Sequence, residues 1–252
     1  MNTYRLSAGL LLAATSLAAL TTSARADDTP ECNLNDGPDA TPSTADDGLE
    51  CGENAAAAGE DSTALGNETT ASGSKAIAVG HSSEATGARS IAIGADNDPG
   101  YYTGPTQALG DDSIAIGSDA RAETASVAIG EWAVATGTGT IAIGGNTDND
   151  GTGALASGLN SVAVGSDAYA SQSGVAVGGT SNASTSNGIA IGSEASASQG
   201  NAPIAIGYQS DATGGSSVAL GHQATSTGLN AVAIGGSANG FNARSIAIGG
   251  SA

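Results

Sequence analysis

Seven aromatic residues in a chain of 252, five Tyr with one Trp and one Phe, are too few for the thick mixed core of an ordinary domain. Basic residues are just as scarce: Arg5, Arg25, Lys75, Arg89, Arg121 and Arg244 stand against 25 acids, for a net charge of −19. With no basic stripe, nucleic acid and anionic membrane surfaces are disfavoured as partners. Two cysteines and two histidines fall short of a zinc set. The helix formers Lys, Gln and Met are sparse, and no apolar run outside the first 26 residues is long enough to matter to a membrane. What is abundant is glycine, 39 residues of it, together with Ala, Val and Ile, the last two being residues that suit pleated strands.

The first stretch has its own logic. One positive charge near the start, an apolar Leu6 to Leu20 too short to span a bilayer, and Ala24-Arg25-Ala26 make residues 1–26 a secretory signal peptide cleaved after Ala26. Its removal takes Arg5 and Arg25 away and leaves the mature chain more acidic still. Export gives Cys32 and Cys51 a meaning, since a single bridge is the simple pairing in an oxidising compartment. Two free or intermolecular thiols are the alternative. Residues 27–54, rich in Asp, Glu, Pro, Asn and Thr, form an acidic, flexible leader that the disulfide would tie down.

From about residue 55 to residue 252 one sentence repeats. The form (Ile or Val)-Ala-(Ile, Val or Leu)-Gly occurs twelve times, as in Ile91-Ala92-Ile93-Gly94, and Thr63-Ala64-Leu65-Gly66 is a looser copy. The commonest step is 14 residues, and two longer steps mark insertions near 95–107 and 145–157. A second glycine lies seven residues before the motif glycine in most copies, among them Gly73, Gly87, Gly158 and Gly200. Fourteen residues with two glycine corners leave room for two short strands and no helix, which predicts an all-β solenoid of two-strand coils. The corner glycines are expected to supply positive φ. Period-two alternation puts Ile91 and Ile93 on one face and Ala92 on the other. The expectation from the larger side chains is an isoleucine core inside each coil and an alanine stripe outside, where it would permit close approach of a partner. A coil that buries only one aliphatic pair cannot offset the ordering of its backbone, so stacking and a partner surface are both expected.

The repeated units at this spacing, such as Asn160-Ser161-Val162-Ala163-Val164-Gly165-Ser166, resemble the head domain of YadA-like trimeric autotransporter adhesins over about residues 55–252. The resemblance implies a left-handed parallel β-roll, a homotrimer, display on a Gram-negative surface, and binding of host extracellular matrix such as collagen, or of other cells. It also singles out Asn160, Ser161, Val162, Ala163, Val164, Gly165 and Ser166 as the unit linked with ligand binding. That family follows the head with a stalk and a barrel anchor, whereas this sequence stops at Gly249-Gly250-Ser251-Ala252 within a repeat. The expectations are therefore a cell-surface or extracellular adhesin head with no membrane anchor of its own, periplasmic if export is incomplete. A passive structural rod or a truncated adhesin fragment is the alternative.

Outside the repeat, the first insertion offers paired Tyr101 and Tyr102 as a loop contact, with a decorated turn as the plainer reading. The second, with Asn146, Asp148 and Asp150 before Gly151, opens like a calcium loop. Its twelfth position is Ser157 and not a bidentate Glu, so the decorated turn is again preferred. His81 and His222 follow motif glycines at equivalent corners and mark variable surface slots. No nucleophile is marked as activated, and no enzyme activity or cofactor is expected. The lone Thr138-Gly139-Thr140 is not the threonine array of an ice-binding face, and the 14-residue period excludes a nine-residue calcium roll.

Overall fold

The computed structural model describes residues 32–35, 48–95, 104–146 and 152–251. All regular structure in them is β, and the chain winds as a solenoid. The signal peptide with its Ala26 site, most of the leader, Tyr101, Tyr102, Asp148 and Asp150 lie outside the described residues.

Each coil contributes a three-residue strand, such as Ile91–Ile93, and a two-residue strand, such as Glu84–Ala85. The three-residue strands stack into a fifteen-stranded sheet. Thirteen of its strands are the motif copies, and the two at the N-terminal end are Cys32–Asn35 and Gly48–Cys51. The two-residue strands stack into a second wall, a nine-stranded and a three-stranded sheet joined by the single-residue bridges of Ser196 to Asn182 and Asp211. From Gly48–Cys51 onward, pairing along both walls is parallel and in phase. Ile91 stands beside Ile77 and Ile114, and Ala92 beside Ala78 and Ala115. The two insertions leave from the same corner, the one after the motif glycine, so the sheets pass them without a break in register.

The orientation of the strands is the reverse of the expected one. The alanines face inward, where Ala78, Ala92, Ala163 and their equivalents as far as Ala233 are 0% exposed, and the isoleucines and valines face outward and are only partly covered. Five positions per coil point inward, represented by Ser83, Ala85, Gly87, Ser90 and Ala92, and every one is small. The reason is width. Two walls joined by tight corners of two or three residues approach so closely that their facing side chains meet as methyls and hydroxymethyls, and a branched chain has no room. Some of the buried hydroxyls are used locally: Ser161 Oγ donates to the Gly158 carbonyl (2.7 Å) and Thr140 Oγ1 to the Gly137 carbonyl (2.8 Å), closing the corners before their long strands, whereas the equivalent Ser62, Ser90, Ser113 and Ser217 hydroxyls make no such bond.

The corners differ from expectation as well. Their left-handed residue is seldom glycine: 24 non-glycine residues, seven apart for most of the rod, hold φ between 51 and 61°, and Gly139 (φ 69°) takes the slot after Trp132. Asn, Asp, Ser and charged residues occupy most of these slots, types whose side chains are short or point freely into solvent. Of the half-repeat glycines only Gly200 has positive φ. They are needed for closeness instead, because a Cβ built on Gly73 or Gly87 would run into the next coil's backbone. The motif glycine needs both freedoms. Gly165 sits at φ 134°, and a Cβ there would meet the Gly178 carbonyl.

Candidate binding faces

With its interior filled by alanine, the solenoid presents its chemistry on two flat outer faces and two corner edges. The first face is the outside of the long-strand sheet. Thr63 and Leu65 begin it, Ile77 and Val79 follow, and in-phase pairs continue through Val127–Ile129, Val162–Val164 and Val218–Leu220 to Ile246–Ile248. Ile93 remains 38% exposed, Ile141 and Ile143 37%, and Leu220 40%. Beyond Thr63, two aliphatic columns thus run side by side to the last rung at roughly 4.8 Å per rung. No charged side chain interrupts them, and nothing in the described chain covers them. An apolar strip of that length is far beyond what a monomer ordinarily leaves in water.

The second face, the outside of the short strands, is mixed. Gln107, Arg121, Val134, Leu155, Tyr169 and Asn182 stand in register down one column. Alternation puts Thr136, Ser157, Ser171 and Ser184 beside them as a ladder of part-exposed hydroxyls. Gln107 Nε2 donates to Glu84 Oε2 (2.8 Å), and Arg121 pairs with Glu123 (3.0 Å). Further along, burial pushes the Asp211 carboxyl above the usual carboxylate range, against the opposing hydrogen bond from Ser196. A carboxyl with a raised folded pKa holds its proton longer in the folded than in the unfolded chain. Stability therefore falls as pH rises from the ordinary carboxylate range through that raised value. Asp211→Asn is expected to melt about 2 °C above the unsubstituted chain at pH 7 and to lose that advantage near pH 3, as read by circular dichroism.

The corners carry ladders of their own. Gln223 Nε2 donates to Gln209 Oε1 (2.9 Å), and Gln209 Nε2 to Glu194 Oε2 (2.7 Å), so one polar chain spans three coils. Tyr208 stacks on His222 with ring centroids 5.5 Å apart. At the other corner Arg89 and Asp112 form a two-point ion pair at 2.6 and 2.7 Å. It raises the arginine's pKa and lowers the carboxyl's, and both groups stand in solvent. His81 and His222 are exposed, as corner positions require.

The residues singled out from the sequence separate in space. Ser161 and Ala163 are 0% exposed and belong to the core, so no docked ligand touches them, which corrects their place in the binding unit. Val162 and Val164 lie on the aliphatic face, Gly165 turns the chain, and Asn160 and Ser166 sit at opposite corners. Asn146 is part-exposed at the root of the second insertion, where its N–H donates to the Glu131 carbonyl (3.2 Å). Among the described residues no group of three or more His, Cys, Asp or Glu is placed to hold a metal ion. Sequence reasoning passed over Trp132, the chain's one tryptophan, which occupies a left-handed corner (φ 61°) against Gly153 of that insertion. It also passed over the second face, whose signal was the hydroxyl two residues after many of the outward short-strand positions, as at Thr86, Thr136, Ser157, Ser171 and Ser184.

The family model described as the YadA head domain repeat matches residues 52–69, 71–97, 108–147, 151–195 and 204–252, in overlapping copies. The chain belongs to the YadA head family. The matches cover the repeating coils and break between residues 97 and 108 and between 147 and 151, at the two insertions. Among solved structures, the chain is similar to the crystal structure of the collagen-binding domain of the Yersinia adhesin YadA. The two are 28% identical over 72% of this chain and 70% of that one, with a TM-score of 0.30. No curated protein matches. The YadA head family is one of non-enzymatic binding modules carried on bacterial surfaces, and membership of it makes the chain adhesin-like.

Proposed function

We propose that this chain is the head of a homotrimeric surface adhesin that holds host extracellular matrix, with collagen the first ligand to try, or other cells. The observation that carries the reading is the uninterrupted aliphatic strip of the long-strand sheet, which has no partner within the chain. Three parallel copies meeting along that face would bury it and complete the core that the alanine interior leaves thin. The short-strand face and the corners then point outward around the trimer. There the same shallow features recur in every copy, so weak contacts add by avidity in place of a pocket. Under this arrangement Val162 and Val164 serve assembly, and Asn160 and Ser166 stay at the surface. Export through residues 1–26 belongs to the same proposal.

Purified mature chain laid over immobilised collagens, fibronectin and laminin tests it. Saturable binding to one of them, lost on dissociating the trimer, is the expected result. A stable trimer that binds none of these proteins and no cells is an inert rod.

A further inference from the structure

Among the paired strands of the described residues one pair is antiparallel, and it lies at the N-terminal end. Cys32–Asn35 runs against Gly48–Cys51, with Cys32 opposite Cys51, and a disulfide joins the two. Gly48–Cys51 is the first rung of the rod, parallel to Thr63–Leu65. Its outer edge would otherwise expose the N–H and C=O groups that each later rung offers to a preceding coil. An open edge of this kind is a template for another strand.

A second device closes the other wall. In the register of the first rung, Glu50 stands where Ala64 and all later rungs have alanine. Its Oε1 accepts the Ala57 N–H at 2.7 Å. Later alanines at the place of Ala57 donate to the coil before them, as Ala197 does to the Asn182 carbonyl (2.7 Å) and Ala212 to the Ser196 carbonyl (2.8 Å). Ala57 has no preceding coil, and the glutamate carboxylate takes the place of the missing carbonyl. The end is therefore finished twice, once by a side chain and once by an added strand.

The two closures differ in permanence. Glu50 belongs to the rung it caps, whereas the added strand is four residues long and is fastened by the disulfide. A two-stranded ribbon of that length is marginal without a cross-link. Cys32 is exposed and Cys51 is 7% exposed, so an attacking thiolate reaches the Cys32 sulfur first.

We infer that the disulfide-fastened strand Cys32–Asn35 is a redox-controlled cover over an end-on docking edge, Gly48–Cys51, whose occupant once uncovered is the same edge of a second copy. A dithiol reductant attacks the Cys32 sulfur and forms a mixed disulfide there, releasing Cys51 as thiolate. The reductant's second thiolate then displaces Cys32, so the reductant leaves as a disulfide and both cysteines are thiols once protonated. With the strand released, the edge still presents the geometry that accepted an antiparallel neighbour. Two copies meeting edge to edge about a two-fold axis reproduce that pairing. The outcome does not depend on lateral assembly, because the end is perpendicular to the aliphatic face.

The test uses the full mature chain, oxidised, reduced with dithiothreitol, and as Cys32→Ser. Light scattering is expected to show the mass doubling on reduction and returning on reoxidation, with Cys32→Ser doubled throughout. Small-angle scattering should show the longest dimension nearly doubling as well. Hydrogen exchange at residues 48–51 should rise at least tenfold in dilute reduced protein, with Ile77 onward unchanged. An unchanged mass, a doubled mass without lengthening, or loss of protection along the whole rod would each overturn the inference.

Discussion

Ala163→Leu is expected to break the rod in the middle. Ala163 is fully enclosed, with Ala142 and Ala176 beside it in the sheet and Ala156 and Ala170 on the facing wall, all 0% exposed. None of these neighbours can retreat, because each is backbone with one methyl. Overpacking in cores that can adjust costs about 1–3 kcal/mol, and here the figure belongs at or above the top of that range. Because each coil touches only its neighbours, the damage stays local. A broad-specificity protease should cut near residue 163 and leave protected halves on either side. Val162→Leu, one residue away but facing outward, should leave the monomer's melt within a degree or two. Equal melts for the two variants would mean that the alanine interior does not limit the coil.

The second large effect concerns assembly. Ile143→Lys places an ammonium on the aliphatic face, where the single chain leaves the position 37% exposed. The isolated solenoid tolerates this, because the lysine head reaches water along its own stem. In the proposed trimer every copy would bury an unpaired charge, at no less than about 3 kcal/mol each. That weakens association by a hundredfold or more per copy. Sedimentation at micromolar concentration should show a folded monomer for this variant and the proposed trimer for the unsubstituted chain. A trimer that survives Ile143→Lys, with its strand signal intact, would remove the aliphatic face from the interface.

These two substitutions bracket what the sequence made legible. Period, coil length, strand-only architecture and the places of both insertions followed from glycine spacing, since the motif glycine recurs after each long strand, where a Cβ would meet the next coil's backbone. Which face of Ile91-Ala92-Ile93 turned inward did not follow. Alternation divides the residues into two sets but does not label them, and the rule that large apolar residues go inside assumes a wall-to-wall distance that 14 residues do not provide. The clue lay in the companions of Ala92: Ser83, Ala85, Gly87 and Ser90 share its set, and a set with nothing larger than serine fits only the narrower space. The corner error had a similar root. Glycine was taken as the residue of positive φ, while Lys75, Arg89 and Asn160 hold the left-handed turn and neighbouring glycines yield space to the next coil.

The alanine and serine interior also sets how the protein responds to temperature. Heat capacity of unfolding rises with the apolar surface newly exposed to water and falls with the polar surface. Inward positions here release mainly methyls and hydroxymethyls together with dense backbone amides, so the increment per residue lies below that of a leucine-rich domain. The resulting stability curve is broad and shallow. A single solenoid would then gain or lose little between cold and warm conditions, and in the proposed trimer the steep part of any thermal response would come from the aliphatic faces parting.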